Sequence, residues 1–201
     1  MRVYFDGSSW TAGAELENRE DRYSTIIANH YGTEEYNISK GGASNNRICR
    51  QLLLDNNIKD FDVAVIQMSM ASRTEWYNPE KGFEDIRPVS KRSEYPTDWK
   101  EHWWYYYKHV YDDNYGNIYE KMFVTAIQDH CKVHNVPLIL LTCRDVDSNK
   151  YKSLSTEVKF DIDMNADRYP KAKYGHLNKE GHALLAKDLI EMIENEDFIQ
   201  W

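Results

Sequence analysis

Residues 174–186 read "YGHLNKEGHALLA". From 178 to 195, Leu184, Leu185, Leu189, Ile190 and Ile193 fall on one stripe of an amphipathic helix, with Asn178 as its N-cap. His176 stands just ahead of that helix and follows Gly175, where a loop can present its imidazole to a sheet edge. His182 lies inside the helix at a packing position and reads as structural. A helix with one apolar stripe needs a sheet to cover, and the rest of the chain supplies the pieces.

Residues 3–5, "VYF", form a short buried strand. Tyr23, Ile26, Ile27 and Tyr31 recur at helical spacing over 18–31, and Gly32 stops that helix. "EYNIS" is strand-like, and "SNNRICRQLLLDNN" follows as a helix capped by Ser44 or Asn45, with Ile48 and Leu52 inward. "DVAVIQM" (62–68) and "PLILLTC" (137–143) have the unbroken apolar character of strands buried on both faces. Helices are predicted over 97–111 and 117–134, and irregular stretches over 69–96 and from 144 to about 174. This alternation predicts one α/β domain, a five-stranded parallel flavodoxin-like sheet between two helix layers, with an insert at about 70–115. Sites in such sheets lie at the C-terminal ends of strands, here 6–13, 39–46 and 69–76.

The 201 residues allow one domain with a substantial core. A formal charge of −8 argues against a nucleic-acid partner and against docking on anionic lipid. No apolar run approaches the roughly 20 residues that span a bilayer. The N-terminus enters a strand with no basic and apolar leader, so a cytoplasmic location is expected. Cys49, Cys131 and Cys143 are scattered and read as reduced thiols rather than a disulfide framework or a zinc site. His130 and His134 are four apart on one helix but lack the glutamate of zinc peptidases, so no metal is expected, nor any other cofactor.

After the first strand comes Gly7-Ser8-Ser9-Trp10-Thr11-Ala12-Gly13, where Ser9 is either a turn residue or a nucleophile held on a turn. After the second, Gly41 and Gly42 leave N–H groups unshielded beside a helix start, as an oxyanion pocket requires, although a plain turn uses the same pair. After the third, Arg73 and Glu75 either line a cleft or form a surface ion pair. The segment "DWKEHWWYYYKHVYDDNYGNIY" places Trp99, Trp103, Tyr106, Tyr107 and Val110 on one helical face and Trp104, Lys108 and Tyr111 on another. It reads as a buried helix, a stacking surface for sugar rings or a homo-oligomer contact.

Taken in order, these segments resemble the SGNH/GDSL hydrolase superfamily over nearly the whole chain. Gly7-Ser8-Ser9-Trp10-Thr11-Ala12-Gly13 is similar to the family's Gly-Asp-Ser-x-Thr-x-Gly, with Ser8 in place of the Asp. "NISKGGAS" matches the second block, and "HLNKEGHALLA" the last. The resemblance implies Ser9 as nucleophile and His176 as general base, with the N–H groups of Ser9 and Gly42, or second Gly41, as oxyanion donors. It implies an esterase or deacetylase acting on an acyl ester of a carbohydrate or other small molecule.

The resemblance has two breaks. Ala71 stands where the third block has an oxyanion-binding Asn, leaving Arg73, Ser69 or Asn45 as substitutes. Lys173 occupies the place of the base-orienting Asp three residues before His176, leaving Asp163, Asp167 or a backbone carbonyl for that task. Two outcomes follow: a rebuilt catalytic site in a divergent member, or the same fold used as a carbohydrate- or partner-binding module.

Overall fold

The computed structural model describes residues 1–55, 57–88, 97–143 and 161–195. Five parallel strands form the main sheet: β1 (Val3–Asp6), β2 (Tyr36–Asn37), β3 (Val63–Met68), β6 (Leu138–Thr142) and β7 (Ile162–Asp163), in the order β2-β1-β3-β6-β7. Four helices cover it: α1 (Tyr23–His30), α2 (Asn45–Leu54), α4 (Asp113–Val133) and α5 (Lys179–Glu194). The three-layer α/β/α architecture expected from the alternation is the one observed.

The strands have no polar face because both faces are roofed. On one, Val3, Phe5, Val63, Val65, Ile139 and Leu141 pack with Tyr23 and Ile27 of α1 and Leu185 and Leu189 of α5. On the other, Tyr4, Ala64, Ile66, Leu138 and Leu140 pack with Ile48 and Leu52 of α2 and Val124 and Ile127 of α4. The period of two sends alternate residues of each strand to opposite layers, and each layer is apolar. Ser44 caps α2 by accepting from Arg47 N–H at 3.3 Å, and Asn178 caps α5 by accepting from Gly181 N–H at 2.9 Å. Gly181 also lets α5 approach the preceding chain, since a Cβ there would stand 2.2 Å from the Pro170 carbonyl oxygen.

Several boundaries differ from the sequence reading. Arg19–Asp21 is a separate 3-10 turn, and α1 starts only at Tyr23. The stretch read as irregular over 69–96 holds an antiparallel hairpin, β4 (Thr74–Asn78) and β5 (Gly82–Ile86), while 89–96 lie outside the described residues. Its alternation is masked because both faces carry aromatic and charged side chains. The short β7 was also missed, since two residues give no periodicity.

Within the insert, α3 (Thr97–Tyr105) continues as a π-helical turn over Tyr106–Val110. It is not a helix buried on all sides: Trp104, Tyr105 and Val110 are exposed and Trp103 and Tyr106 half-buried. Among the described residues no helix is long and apolar enough to cross a membrane.

Candidate active site

β1 and β3 run side by side and in parallel, so their exits bring residues 7–9 against 67–69. The buried Gln67 side chain anchors the first loop. Its Oε1 accepts from Ser8 N–H at 2.8 Å, Ser8 O–H at 3.0 Å and Thr11 O–H at 3.2 Å. Ser8 is thereby turned into the protein, and the next residue, Ser9, faces outward at the head of a turn. That turn closes through Ala12 N–H to the Ser8 carbonyl and Ala14 N–H to the Ser9 carbonyl, each at 2.9 Å. Below it, the buried Asp6 pairs with Arg47 at 2.8 Å, and burial pushes the Asp6 carboxyl up to about 7 against the pull of that guanidinium.

Ser9 Oγ lies 2.9 Å from His176 Nε2. On the far side of the ring, His176 Nδ1 lies 2.8 Å from Glu15 Oε2. A carboxylate only accepts, so Nδ1 carries the proton and Nε2 offers its lone pair to the Ser9 hydroxyl. Glu15 also accepts from the backbone N–H groups of Tyr174 at 2.8 Å and His176 at 3.1 Å. Desolvation raises the Glu15 carboxyl, but these hydrogen bonds outweigh it and hold the group below its usual range. The backbone at Glu15 is left-handed, with φ +70°, an uncommon conformation for a residue with a Cβ. The loop before α5 is pinned from its own side as well, by Ala172 N–H donating to the His176 carbonyl at 2.7 Å. Trp10 flanks the imidazole with ring centroids 5.8 Å apart.

The carboxylate behind His176 is thus neither Asp163 nor Asp167. Asp163 accepts from Asn165 N–H at 2.8 Å, and Asp167 is exposed. The Lys173 ammonium lies 5.4 Å from the Tyr174 ring centroid. Glu15 escaped the sequence reading for a physical reason. It sits in an acidic run ahead of a helix, six residues after Ser9, and meets His176 across a separation of 161 residues.

The second strand exit passes beside the first, with Lys40 N–H donating to the Gly7 carbonyl at 3.2 Å. A tight turn then closes from Ala43 N–H to the Lys40 carbonyl at 3.0 Å, with Gly42 at φ +83°. Gly41 and Gly42 are its central residues, and their N–H groups have no partner among the described residues, nor does that of Ser9.

The proposed substitutes for the missing Asn are engaged elsewhere. The Asn45 amide donates to the Ser69 carbonyl at 3.2 Å and to Glu120 at 3.4 Å, and its oxygen accepts from Ser69 N–H at 2.6 Å. Arg73 donates to Ser69 Oγ at 2.9 Å and to the Ala43 carbonyl at 3.4 Å. These three residues tie the exit of β3 to α2. A crevice beside them is lined by Ala71, Ser72, Tyr111, Tyr115, Tyr119 and Phe123. Glu75, the other candidate there, forms a two-pronged ion pair with Arg50 at 2.7 and 2.8 Å. His130 and His134 have ring centroids 4.6 Å apart, and no group of three or more His, Cys, Asp or Glu side chains fit to hold a metal ion occurs among the described residues.

No protein-family model matches the chain, and no curated protein matches it in sequence. Solved structures do match in fold. The esterase EstA from Pseudoalteromonas, in a structure inhibited by monoethylphosphonate, is 10% identical with a TM-score of 0.55, the match covering 96% of this chain and 97% of that one. A GDSL-like lipase from Bacteroides thetaiotaomicron is 11% identical at a TM-score of 0.56, covering 97% and 88%. The acetyl xylan esterase AlAXEase is 16% identical at a TM-score of 0.58, covering 95% and 98%. At such identities the likeness is one of fold: the chain has the fold of the SGNH/GDSL hydrolases.

Proposed function

We propose that this chain, folded as an SGNH hydrolase, is a serine esterase or deacetylase that cleaves an acyl ester of a carbohydrate or other small molecule. The observation that carries this reading is the unbroken relay Ser9–His176–Glu15, with contacts of 2.9 and 2.8 Å in line through one imidazole. His176 Nε2 takes the proton of the Ser9 hydroxyl as Ser9 Oγ bonds to the ester carbonyl carbon. The carbonyl π electrons move to its oxygen, which the N–H groups of Ser9 and Gly42 receive. The intermediate collapses, the alcohol leaves with the proton from His176, and water repeats the sequence to release the acid. Glu15 keeps the productive tautomer and balances the charge on the imidazolium, the task of the aspartate in serine proteases.

The test uses p-nitrophenyl acetate and a fluorophosphonate probe on the intact chain. Turnover and a covalent label on Ser9 are expected, and Ser9→Ala should lose the label and about 10⁴-fold or more of kcat. A wild type that neither turns over the ester nor takes the label refutes the esterase reading, as does activity that survives Ser9→Ala.

A further inference from the structure

One cation beside the glycine turn has no role in the relay. Arg87, just beyond β5, lies over Gly42: a Cβ added to that glycine would stand 2.8 Å from Arg87 Cζ, 2.9 Å from Nε and 3.1 Å from Nη1. Near-equal distances to three atoms of the plane mean that the guanidinium turns its flat face to the glycine. Its N–H edge, five donors in a rigid fork, is left for another partner. Among the described residues that edge has neither a hydrogen bond nor an ion pair, and the side chain belongs to a half-buried residue. Neighbouring cations are all committed: Lys40 to Asp85 at 3.0 Å, Arg47 to Asp6 at 2.8 Å and Arg50 to Glu75 at 2.7 Å.

A vacancy in the chemistry matches this donor. The family's third oxyanion donor is a side-chain amide after the third strand. Here Ala71 has nothing to offer, and Asn45 is held by Ser69 and Glu120. We propose that Arg87 is the third oxyanion donor of this site, supplied by the hairpin beside the turn instead of by the loop after β3. The inference rests on the esterase reading. An oxygen that accepts from Gly42 N–H at about 2.9 Å sits beside the nitrogen next to the Cα over which the guanidinium lies. As Ser9 Oγ bonds to the carbonyl carbon and the π electrons pass to that oxygen, the negative charge develops beside a cation. A charge-assisted donor is roughly twice as strong as the neutral amide it would replace. Gly42 itself is required by its φ of +83°.

The experiment measures kcat and KM for Arg87→Ala, Arg87→Lys and Arg87→Gln in the intact chain, with Gln as the variant that keeps polar bulk if Ala unfolds. Substrates are the neutral p-nitrophenyl acetate and the anionic mono-p-nitrophenyl succinate. Arg87→Ala should lose about 10²-fold in kcat on both esters, with KM moved by less than about threefold. Arg87→Lys should recover part of that loss. Wild-type kcat in all three variants overturns the assignment. So does a loss confined to KM of the succinate ester, which makes Arg87 a reader of substrate charge. Fluorophosphonate separates the two levels: a wild type labelled on Ser9 beside fully active Arg87 variants sinks only the Arg87 assignment, whereas an unlabelled, inert wild type sinks the relay and this inference together.

Discussion

Replacing Glu15 by glutamine changes one atom of the relay, and the structure says how the amide will sit. Oε2 receives two donors, His176 Nδ1–H and His176 N–H, while Oε1 receives one, Tyr174 N–H. If the amide keeps its oxygen toward His176, two hydrogen bonds survive and the NH₂ group faces Tyr174 N–H. With the ring proton kept on Nδ1 the opposite orientation sets the NH₂ group against two donors, and it relieves one of them only by moving the ring proton to Nε2, where it blocks Ser9. Those two states form equal numbers of hydrogen bonds to the amide, so a share of the molecules keeps the productive tautomer, and in these only the charge is lost. The corresponding change in a serine protease, where the tautomer itself goes wrong, costs about 10⁴ in kcat. Glu15→Gln should therefore fall short of that, at about 10²–10³-fold. Glu15→Ala, which also releases the loop carrying His176, should lose more. The assay is kcat and kcat/KM for p-nitrophenyl acetate across pH. A variant with wild-type kcat would refute the role given to Glu15, and a loss larger than that of Glu15→Ala would refute the orientation argument.

Restoring the family's aspartate at Ser8 should not improve the protein. Ser8 is 1% exposed and shares Gln67 Oε1 with Thr11, so a carboxylate there meets an acceptor in a buried site. Ser8→Asp should cost about 1–3 kcal/mol or more in denaturant unfolding, and a variant as stable as the parent contradicts the Gln67 anchor. The pH dependence of stability should show two buried groups in opposition. Burial raises Asp6 from 3.8 to about 7, so its contribution is full below pH 3.8 and lost as pH rises through 7. Burial lowers His182 from 6.5 to about 4, so its contribution is full above pH 6.5 and lost as pH falls through 4. Between pH 4 and 6.5 the two slopes, each ~1.4 kcal/mol per pH unit, cancel. Asp6→Asn should make stability rise with pH across that window, and His182→Asn should make it fall; slopes of the same sign would contradict the assignment.

What one dimension of the chain determined is considerable. Apolar runs at 3–5, 62–68 and 137–143 with no polar face demand cover on both sides, and helices of the right period stand between them, so the layered parallel sheet follows from local pattern alone. The places of Ser9, Gly42 and His176 were legible because each sits at a strand exit or helix start where the backbone itself leaves a mark in glycines and caps. The hairpin at 74–86 was not legible, since both of its faces mix aromatic and charged residues. Glu15 and Arg87 could not be read at all. Their side chains lie against His176 and Gly42 across 161 and 45 residues, and no periodicity or spacing encodes a meeting that exists only once α5 and the hairpin have docked. Local sequence sets which elements form and which way their apolar faces turn. Only the packed structure decides which carboxylate ends up beside the imidazole and which cation beside the glycine turn.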